Sequence, residues 1–423
     1  MTPQFFTLAA FAKARYSMLR RGSRAQIDAY QDQRVKRFLE RHVPQVAAYK
    51  GATFERLQDA PVMDKEQLMD AFQRYNRLGL DADTGWKVFE GEQAAPEGFS
   101  IGASTGTSGN RGLYVVSDAE RYEWLGVILS RAMPDLLKRR ERVAVILPQP
   151  SALYDAANES KHLQLKFFDL AHGVEARINA VAEFNPTVIV APPRVLTVLA
   201  EADTDLAPRE VFSGAEVLDE PDRAVIEGRF GGPVREIYMA TEGLFGVACR
   251  HGSLHLIEDR VVFEWEQVGS DGLVTPLVTD FTRRTQIMLR YRMNDLLRLS
   301  DMPCACGSPH KVVSEIVGRR DDAFRLMRGD GERVTITPDV IRNSVLDAHR
   351  GISDYKVTQT EPNAVLIELC EAESGYLEVA EAALRRLFDD AGVRPDLSAR
   401  TGRLDCSGYA KRRRILVAKE MAI

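Results

Sequence analysis

Two groups of residues in this 423-residue chain carry side chains fit for chemistry. The first is the run Ser104-Thr105-Gly106-Thr107-Ser108-Gly109-Asn110-Arg111-Gly112. Glycines let a backbone approach a ligand closely and take positive φ, and hydroxyls with clustered N–H groups suit phosphate oxygens. No Gly-Lys-Ser/Thr follows the glycines, so the run is not a Walker loop; the residue types fit a phosphate cradle and a solvent-exposed Ser/Gly loop equally. The second group is Cys304 and Cys306, which frame a tight turn, with Cys249 and His255 on either side of another. Three thiols and an imidazole are a usual tetrahedral Zn²⁺ set, the alternative being four reduced side chains in turns. His251 and His310 are substitute ligands, while Cys370 and Cys406 stand apart. A closed four-ligand site is structural, because catalysis keeps a position open.

The totals bound what can position these groups. Lys+Arg is 56 and Asp+Glu is 61, a net charge of −5 that excludes nucleic-acid binding through a general basic field. The length predicts two or three domains, and five cysteines are too few for a disulfide scaffold. Met1 to Ala14 reads as an amphipathic helix, not a signal peptide. No stretch approaches the ~20 apolar residues of a membrane span. The expected setting is cytoplasmic.

Residues 1–50 read as helical, with Pro44 ending or kinking the second helix. Asp64 with Gln67 three residues on is a capping box. After the glycine-rich run come a strand at Leu113–Val116 and a helix over 118–138. Short strands at Val143–Leu147, Phe167–Leu170, Thr187–Ala191, Glu210–Ser213 and Arg235–Met239 alternate with helices, the signature of a mostly parallel α/β sheet. Beyond Gly252 strands dominate: Leu254–Ile257, Val261–Trp265, Leu273–Thr279 and Thr285–Tyr291, an antiparallel or β-barrel-like subdomain. A polar break at 318–322 precedes a small α+β segment.

Four motifs in one order now point to a family. Ser104 to Gly109 resembles the phosphate loop of the adenylate-forming superfamily of acyl- and aryl-CoA synthetases. Ser213-Gly214-Ala215-Glu216 resembles its adenine-bordering turn, and Tyr238-Met239-Ala240-Thr241-Glu242 its Tyr-x-x-Thr-Glu motif. Tyr291-Arg292 to Asp295, followed by Gly318-Arg319-Arg320-Asp321, resembles its Tyr-Arg-x-x-Asp and Gly-Arg-x-Asp pair. The length, the Met63-Asp64-Lys65 segment and Cys304-x-Cys306-Gly307 are similar to the phenylacetate–CoA ligase-like branch. The resemblance covers roughly residues 30–423. It implies an adenylation domain over 1–320 and a lid domain over 321–423.

The resemblance also implies roles. Ser104, Thr105, Gly106, Thr107, Ser108 and Gly109 hold the ATP phosphates, and Thr241 bonds the α-phosphate. Glu242 binds Mg²⁺. Ser213, Gly214, Ala215 and Glu216 border the adenine together with Tyr238, Met239 and Ala240. Asp295 takes the ribose hydroxyls, Arg319 ribose or phosphate, and Asp321 the hinge. Cys249, His255, Cys304 and Cys306 match a structural zinc of this branch. Walls of the acid pocket are expected around Leu147–Tyr154 and Ala240–Phe245. The chain departs from the family near its end: Gly408-Tyr409-Ala410-Lys411-Arg412 lacks the lysine at its usual place, and Lys411 stands two residues later. The implied activity is ATP-dependent activation of a carboxylic acid, aromatic by branch, then transfer to CoA or to the phosphopantetheine of an acyl carrier protein. A homodimer is compatible with it. The alternatives are adenylyl transfer to a hydroxyl, as in the deazaflavin-adenylylating synthetases, and a nucleotide-binding scaffold without chemistry.

Overall fold

The computed structural model describes residues 3–104, 111–147, 162–170, 173–269, 272–352, 354–402, 404 and 413–418. The chain divides into two units. One comprises Met1–Glu266, Pro276–Met293 and Leu299–Ser314, the other Gln267–Thr275, Asn294–Arg298 and Glu315–Ile423.

The first unit opens with helices α1 (Pro3–Arg20) and α2 (Arg24–Arg41). The Ser23 side chain accepts from the Gln26 N–H to start α2, which stops ahead of Pro44. Helix α3 (Lys65–Asp70) begins on the expected capping box: Asp64 accepts from the Gln67 N–H at 3.0 Å, and Gln67 accepts from the Asp64 N–H at 3.2 Å. Short helices α4 (Phe72–Tyr75) and α5 (Ala82–Phe89) lead to an antiparallel hairpin of β1 (Phe99–Ala103) and β2 (Leu113–Ser117). Gly102 pairs with Tyr114, and a Cβ there would stand 2.3 Å from the phenol, so the ring lies over a glycine because nothing larger fits.

Helix α6 (Asp118–Ala132) follows, on a Ser117–Glu120 capping box. It ends six residues before the expected 138, because Pro134 disfavours helical backbone at Met133, which sits at φ −128° and ψ 68°. Helix α1 packs on α6 across Gly126. A Cβ at that glycine would lie 2.6 Å from the Ala10 Cβ and 2.7 Å from the Phe11 nitrogen.

Strands β3 (Glu141–Leu147), β4 (Leu163–Asp169), β5 (Val188–Ala191), β6 (Glu210–Gly214) and β7 (Arg235–Ala240) pair in parallel in the order β4-β3-β5-β6-β7. Helices α7 (Ile178–Phe184), α8 (Pro193–Glu201) and α9 (Glu220–Phe230) connect them. Strand β3 is apolar on both faces: Val143 and Val145 join the core with Leu125 and Leu129, Ala144 and Ile146 the core with Val181 and Leu196. Burial on two sides is what a run without alternation encodes. Strands β8 (Gly243–Ala248) and β9 (Leu254–Leu256) continue from β7 antiparallel.

Next come β10 (Val261–Val268), β11 (Leu273–Asp280), β12 (Tyr291–Arg292), β13 (Asp295–Ser300) and β14 (Val312–Arg319). The expected strand over Thr285–Tyr291 does not form as such. Its backbone bonds go to the α4 region instead: the Ile287 N–H donates to the Tyr75 carbonyl at 3.0 Å and the Arg77 N–H to the Thr285 carbonyl at 2.8 Å. Only β12 at its end pairs in the sheet, with β11.

In the second unit, β15 (Phe324–Met327) and β16 (Arg333–Ile336) form a hairpin, followed by α10 (Pro338–Ala348). Strands β17 (Tyr355–Glu361) and β18 (Ala364–Cys370), helix α11 (Leu377–Asp390), β19 (Asp396–Gly402) and β20 (Ile415–Val417) make a sheet of order β19-β18-β17-β20. Its core holds Phe324, Ile341, Ile367, Leu384 and Phe388. The α/β body and the small α+β element match the expected fold class.

Candidate functional site

The two described ends of the glycine-rich run, Ser104 and Gly112, meet at the end of the β1–β2 hairpin. Ser104 closes it: its N–H donates to the Gly112 carbonyl at 2.8 Å, and its hydroxyl accepts from the Gly112 N–H at 2.8 Å. Thr105, Gly106, Thr107, Ser108 and Gly109 lie outside the described residues, as do Lys411 and the expected pocket wall from residue 148 to 154.

Beside Gly112 is a pocket whose lining includes Lys65, Thr241, Glu242, Arg283 and Tyr291. Long-range backbone pairing brings them together. The Met63 N–H donates to the Arg290 carbonyl at 3.2 Å and the Arg292 N–H to the Met63 carbonyl at 2.7 Å, which sets the start of α3 next to β12. Arg290 holds that register in a left-handed conformation, φ 46°, with its guanidinium donating to the Ala60 carbonyl at 2.7 Å. Lys65, the first residue of α3, then extends along the hairpin; a Cβ at Gly112 would stand 2.9 Å from its Cε. On the far side Thr241 and Glu242 form the turn between β7 and β8, and the Tyr291 hydroxyl donates to Glu242 Oε1 at 2.9 Å.

Arg283 ties these parts together. It is fully buried. One Nη donates to the Glu242 carbonyl at 3.1 Å, the other to Gln286 Oε1 at 3.0 Å. The same Gln286 oxygen accepts from the Val115 N–H at 2.9 Å, so one link joins the Glu242 turn to the hairpin strand β2. Glu120 balances the charge. Burial works against its ionisation, but Arg283 and hydrogen bonds from Arg284 and Thr285 outweigh that and hold the carboxyl below its usual range. Asp280, fully buried, is pushed up by desolvation. Lys65, Arg283 and Gln286 were not singled out from the sequence. A lysine after a cap and an arginine in a polar stretch carry no local signal, and only the Met63–Tyr291 pairing shows them.

The residues expected to border the adenine lie at the carboxyl ends of β6 and β7, where open α/β sheets place ligands. Ser213 is buried and Gly214 ends β6. Ala215 takes φ 71°, a left-handed conformation that alanine disfavours and that clusters at functional turns. Glu216 is half-buried. Tyr238 is 6% exposed and its ring meets Phe245 at 5.3 Å between centroids, while Met239 on the opposite face of β7 is exposed and Ala240 is half-buried.

Asp295 and Arg319 fall in the second unit. The Asp295 carbonyl accepts from the Thr275 hydroxyl at 2.7 Å. Asp321 accepts from the Asn294 amide at 2.6 Å, and the Arg320 N–H donates to the Asn294 carbonyl at 2.8 Å, so the two motif segments of this unit are bonded to each other.

Cys249, His255, Cys304 and Cys306 converge in the first unit, with one ligand atom from each lying within 4.8 Å of the others. Cys249 and Cys304 sulfurs are 3.6 Å apart, and Cys306 Sγ is 3.2 Å from His255 Nε2. His255 Nδ1 is 3.2 Å from the His310 carbonyl, which can only accept; the proton therefore sits on Nδ1 and Nε2 turns its lone pair to the thiols. Desolvation works against a thiolate at Cys304, yet hydrogen bonds from Ser253 and the Cys306 N–H pull it down to about 6. Desolvation and the neighbouring thiols push Cys306 up to about 12. Three thiols and an imidazole converging this closely fit a divalent ion, whose binding displaces the thiol protons. His251 and His310 are outside the cluster.

No family model matches the sequence. Phenylacetate-coenzyme A ligase of Thermus thermophilus is 27% identical over 261 residues, 52% of this chain and 57% of that protein. Protein CapK of Staphylococcus aureus is 30% identical over 122 residues, 28% of this chain and 27% of that protein. The chain thus spans little more than half the length of the first curated relative, and less of the second. Among solved structures, 2-hydroxyisobutyryl-CoA ligase in the postadenylation state with 2-HIB-AMP matches with a TM-score of 0.67 at 19% identity, over 94% of this chain and 90% of that one. ATP-bound MatB from Rhodopseudomonas palustris matches with a TM-score of 0.53 at 15% identity, over 76% of this chain and 66% of that one. The chain shares the fold of these two proteins. The sequence match to a phenylacetate-coenzyme A ligase covers about half of each protein.

Proposed function

We propose that this chain is an ATP-dependent carboxylate–AMP ligase of the acid–thiol type. A carboxylate oxygen of the substrate attacks the α-phosphorus of ATP, and the bond to the bridging oxygen breaks to release pyrophosphate. A thiol of CoA, or of a carrier-protein phosphopantetheine, then attacks the acyl carbon and AMP leaves. The observation that carries this reading is the meeting of Lys65, Thr241 and Glu242 beside the Ser104–Gly112 closure. A cation, a hydroxyl and a carboxylate around a hydroxyl-rich loop are what phosphate transfer needs, since positioning and charge neutralisation supply most of its rate.

In this reading Ser104 to Gly109 hold the phosphates and Thr241 bonds the α-phosphate. Mg²⁺ arriving with ATP neutralises phosphate charge, and Glu242 fits it because oxygen ligands in small number suit that ion. Ser213 to Glu216 and Tyr238 to Ala240 border the adenine, Asp295 receives the ribose and Arg319 ribose or phosphate. Residues 321–423 act as the lid and Lys411 is its candidate phosphate-binding cation, beside Lys65 of α3. The acid is aromatic in this reading on the likeness to a phenylacetate-coenzyme A ligase. Cys249, His255, Cys304 and Cys306 hold a structural Zn²⁺, in a protein of the cytoplasm where thiols stay reduced.

The test is pyrophosphate exchange into ATP over a panel of aryl and acyl acids, followed by addition of CoA. Acid-dependent exchange with CoA-dependent thioester is expected. An AMP-labelled product without any acid requirement overturns the ligase in favour of adenylyl transfer, and ATP binding with neither activity leaves only the scaffold.

A further inference from the structure

Helix α1 is apolar on two opposite faces. With a step of about 100° per residue, Thr7, Ala10, Phe11 and Ala14 fall on one side, and they are the buried residues that meet α6. Phe5, Leu8, Ala9, Ala12, Tyr16 and Leu19 fall on the other side and are all exposed, Leu19 at 76% and Tyr16 at 59%. A helix end that the fold already uses on one face needs no second apolar stripe for stability, and exposed stripes of this kind mark interaction surfaces.

The charges around the stripe say what it meets. Lys13 and Arg20 line one margin and Arg15 the other, on the same helical step. Arg21 and Arg24 follow, and no Asp or Glu occurs before Asp28. Arg20 donates to the Tyr16 hydroxyl at 2.8 Å, so a cation stands at the polar tip of the stripe's aromatic. From the neighbouring helix, Glu123 lies 3.9 Å from Lys13, but it is also paired with Arg260. A chain of net charge −5 therefore carries an acid-free, basic first segment around an apolar stripe.

We propose that the exposed face of α1 lies on an anionic lipid surface, with Phe5, Leu8 and Leu19 entering the acyl boundary and Arg15, Arg20 and Lys13 meeting headgroup phosphates. Aromatic and leucine side chains flanked by basic ones suit the acyl boundary and the headgroups above it, and Tyr16 has the amphipathic ring favoured at headgroup depth. A second copy of the chain is the poorer occupant. A two-fold pair apposes the same patch to itself, which would bring basic margin against basic margin with no acid on the helix to offset them.

The experiment is co-sedimentation of the full chain with vesicles of phosphatidylcholine plus phosphatidylserine, against phosphatidylcholine alone. Binding to the mixed vesicles is expected, and it should weaken as salt screens the charges. The exposed double variant Leu8→Asp/Leu19→Asp should lose about tenfold or more of that binding, and Arg15→Glu/Arg20→Glu likewise, at unchanged melting temperature. As a second readout, Leu19→Trp should shift its emission to the blue on adding the mixed vesicles only. Protein that stays in the supernatant with anionic vesicles overturns the proposal. So does binding that neither double variant reduces, and so does a dimer in light scattering that Leu8→Asp/Leu19→Asp turns to monomer.

Discussion

Strand β8 has a carboxylate ahead of one end and a thiol after the other. Glu242 precedes Gly243, Cys249 follows Ala248, and the six residues between are buried throughout. The two ends hold their polar groups in different ways. At the Glu242 end, a buried guanidinium, an amide and a phenol keep a half-buried carboxylate in a pocket. At the Cys249 end, four ligand atoms close on one another. A pocket kept open by fixed donors can take a substrate; a closed set of four ligands has no position left for one. One apolar strand thus separates a site fit for reaction from a site fit for holding the fold.

The sharpest way to break this comparison is at Arg283. Replacing it with Met removes its hydrogen bonds to the Glu242 carbonyl and to Gln286 and unbalances Glu120, a loss of buried pairing that costs about 3–5 kcal/mol. Urea unfolding should show this, with Arg283→Lys recovering part of it. A variant as stable as the parent would mean that the Glu242 end is not held by this link. At the other end, chelation or Cys304→Ser should lower bound zinc from about one per chain. Thermal stability should fall with it, by about 2.7 kcal/mol for an ion present at a hundredfold excess over its Kd. Metal analysis of native protein showing no zinc removes that half of the comparison.

A pH titration reaches the N-terminal helices on the same unit. Asp259 is buried and accepts from the Ser17 hydroxyl of α1 at 2.9 Å and from Arg131 of α6 at 2.6 Å. Burial works against its charge, but Arg131 and Arg260 beside it lower its pKa from 3.8 to about 2. A depressed folded-state pKa stabilises above the unfolded value and loses that contribution as pH falls through the folded one. About 2 kcal/mol should therefore disappear between pH 3.8 and about 2. Asp259→Asn should flatten that part of the unfolding profile. The smallest effect is expected at Lys65: Lys65→Ala should slow exchange about tenfold, near 1.4 kcal/mol, with the melting temperature unchanged. If Lys411→Ala also slows it, the two lysines share the phosphate.

Much of the first unit was legible because its signals are local. The capping box at Asp64 and the short β-branched runs read directly as the elements they form. The Cys/His set was legible because few residue types bind zinc and this chain has few of them. What escaped is long-range. Thr285–Tyr291 reads like a strand through its apolar run, yet its partners are Met63 and Asn76, more than two hundred residues earlier. That same pairing recruits Lys65 and Gln286, so the missed strand and the missed site residues have one cause. Strand β1 was hidden for a different reason: Gly102 carries no side chain to mark a strand, and Tyr114 across the hairpin supplies the ring instead.

The most direct test of the central claim uses one preparation of Glu242→Ala beside the parent, with acid-dependent pyrophosphate exchange and bound zinc read from both. Exchange should fall by more than tenfold, about 1.4 kcal/mol or more of transition-state stabilisation, while zinc and melting temperature hold. Full exchange in Glu242→Ala would contradict the account.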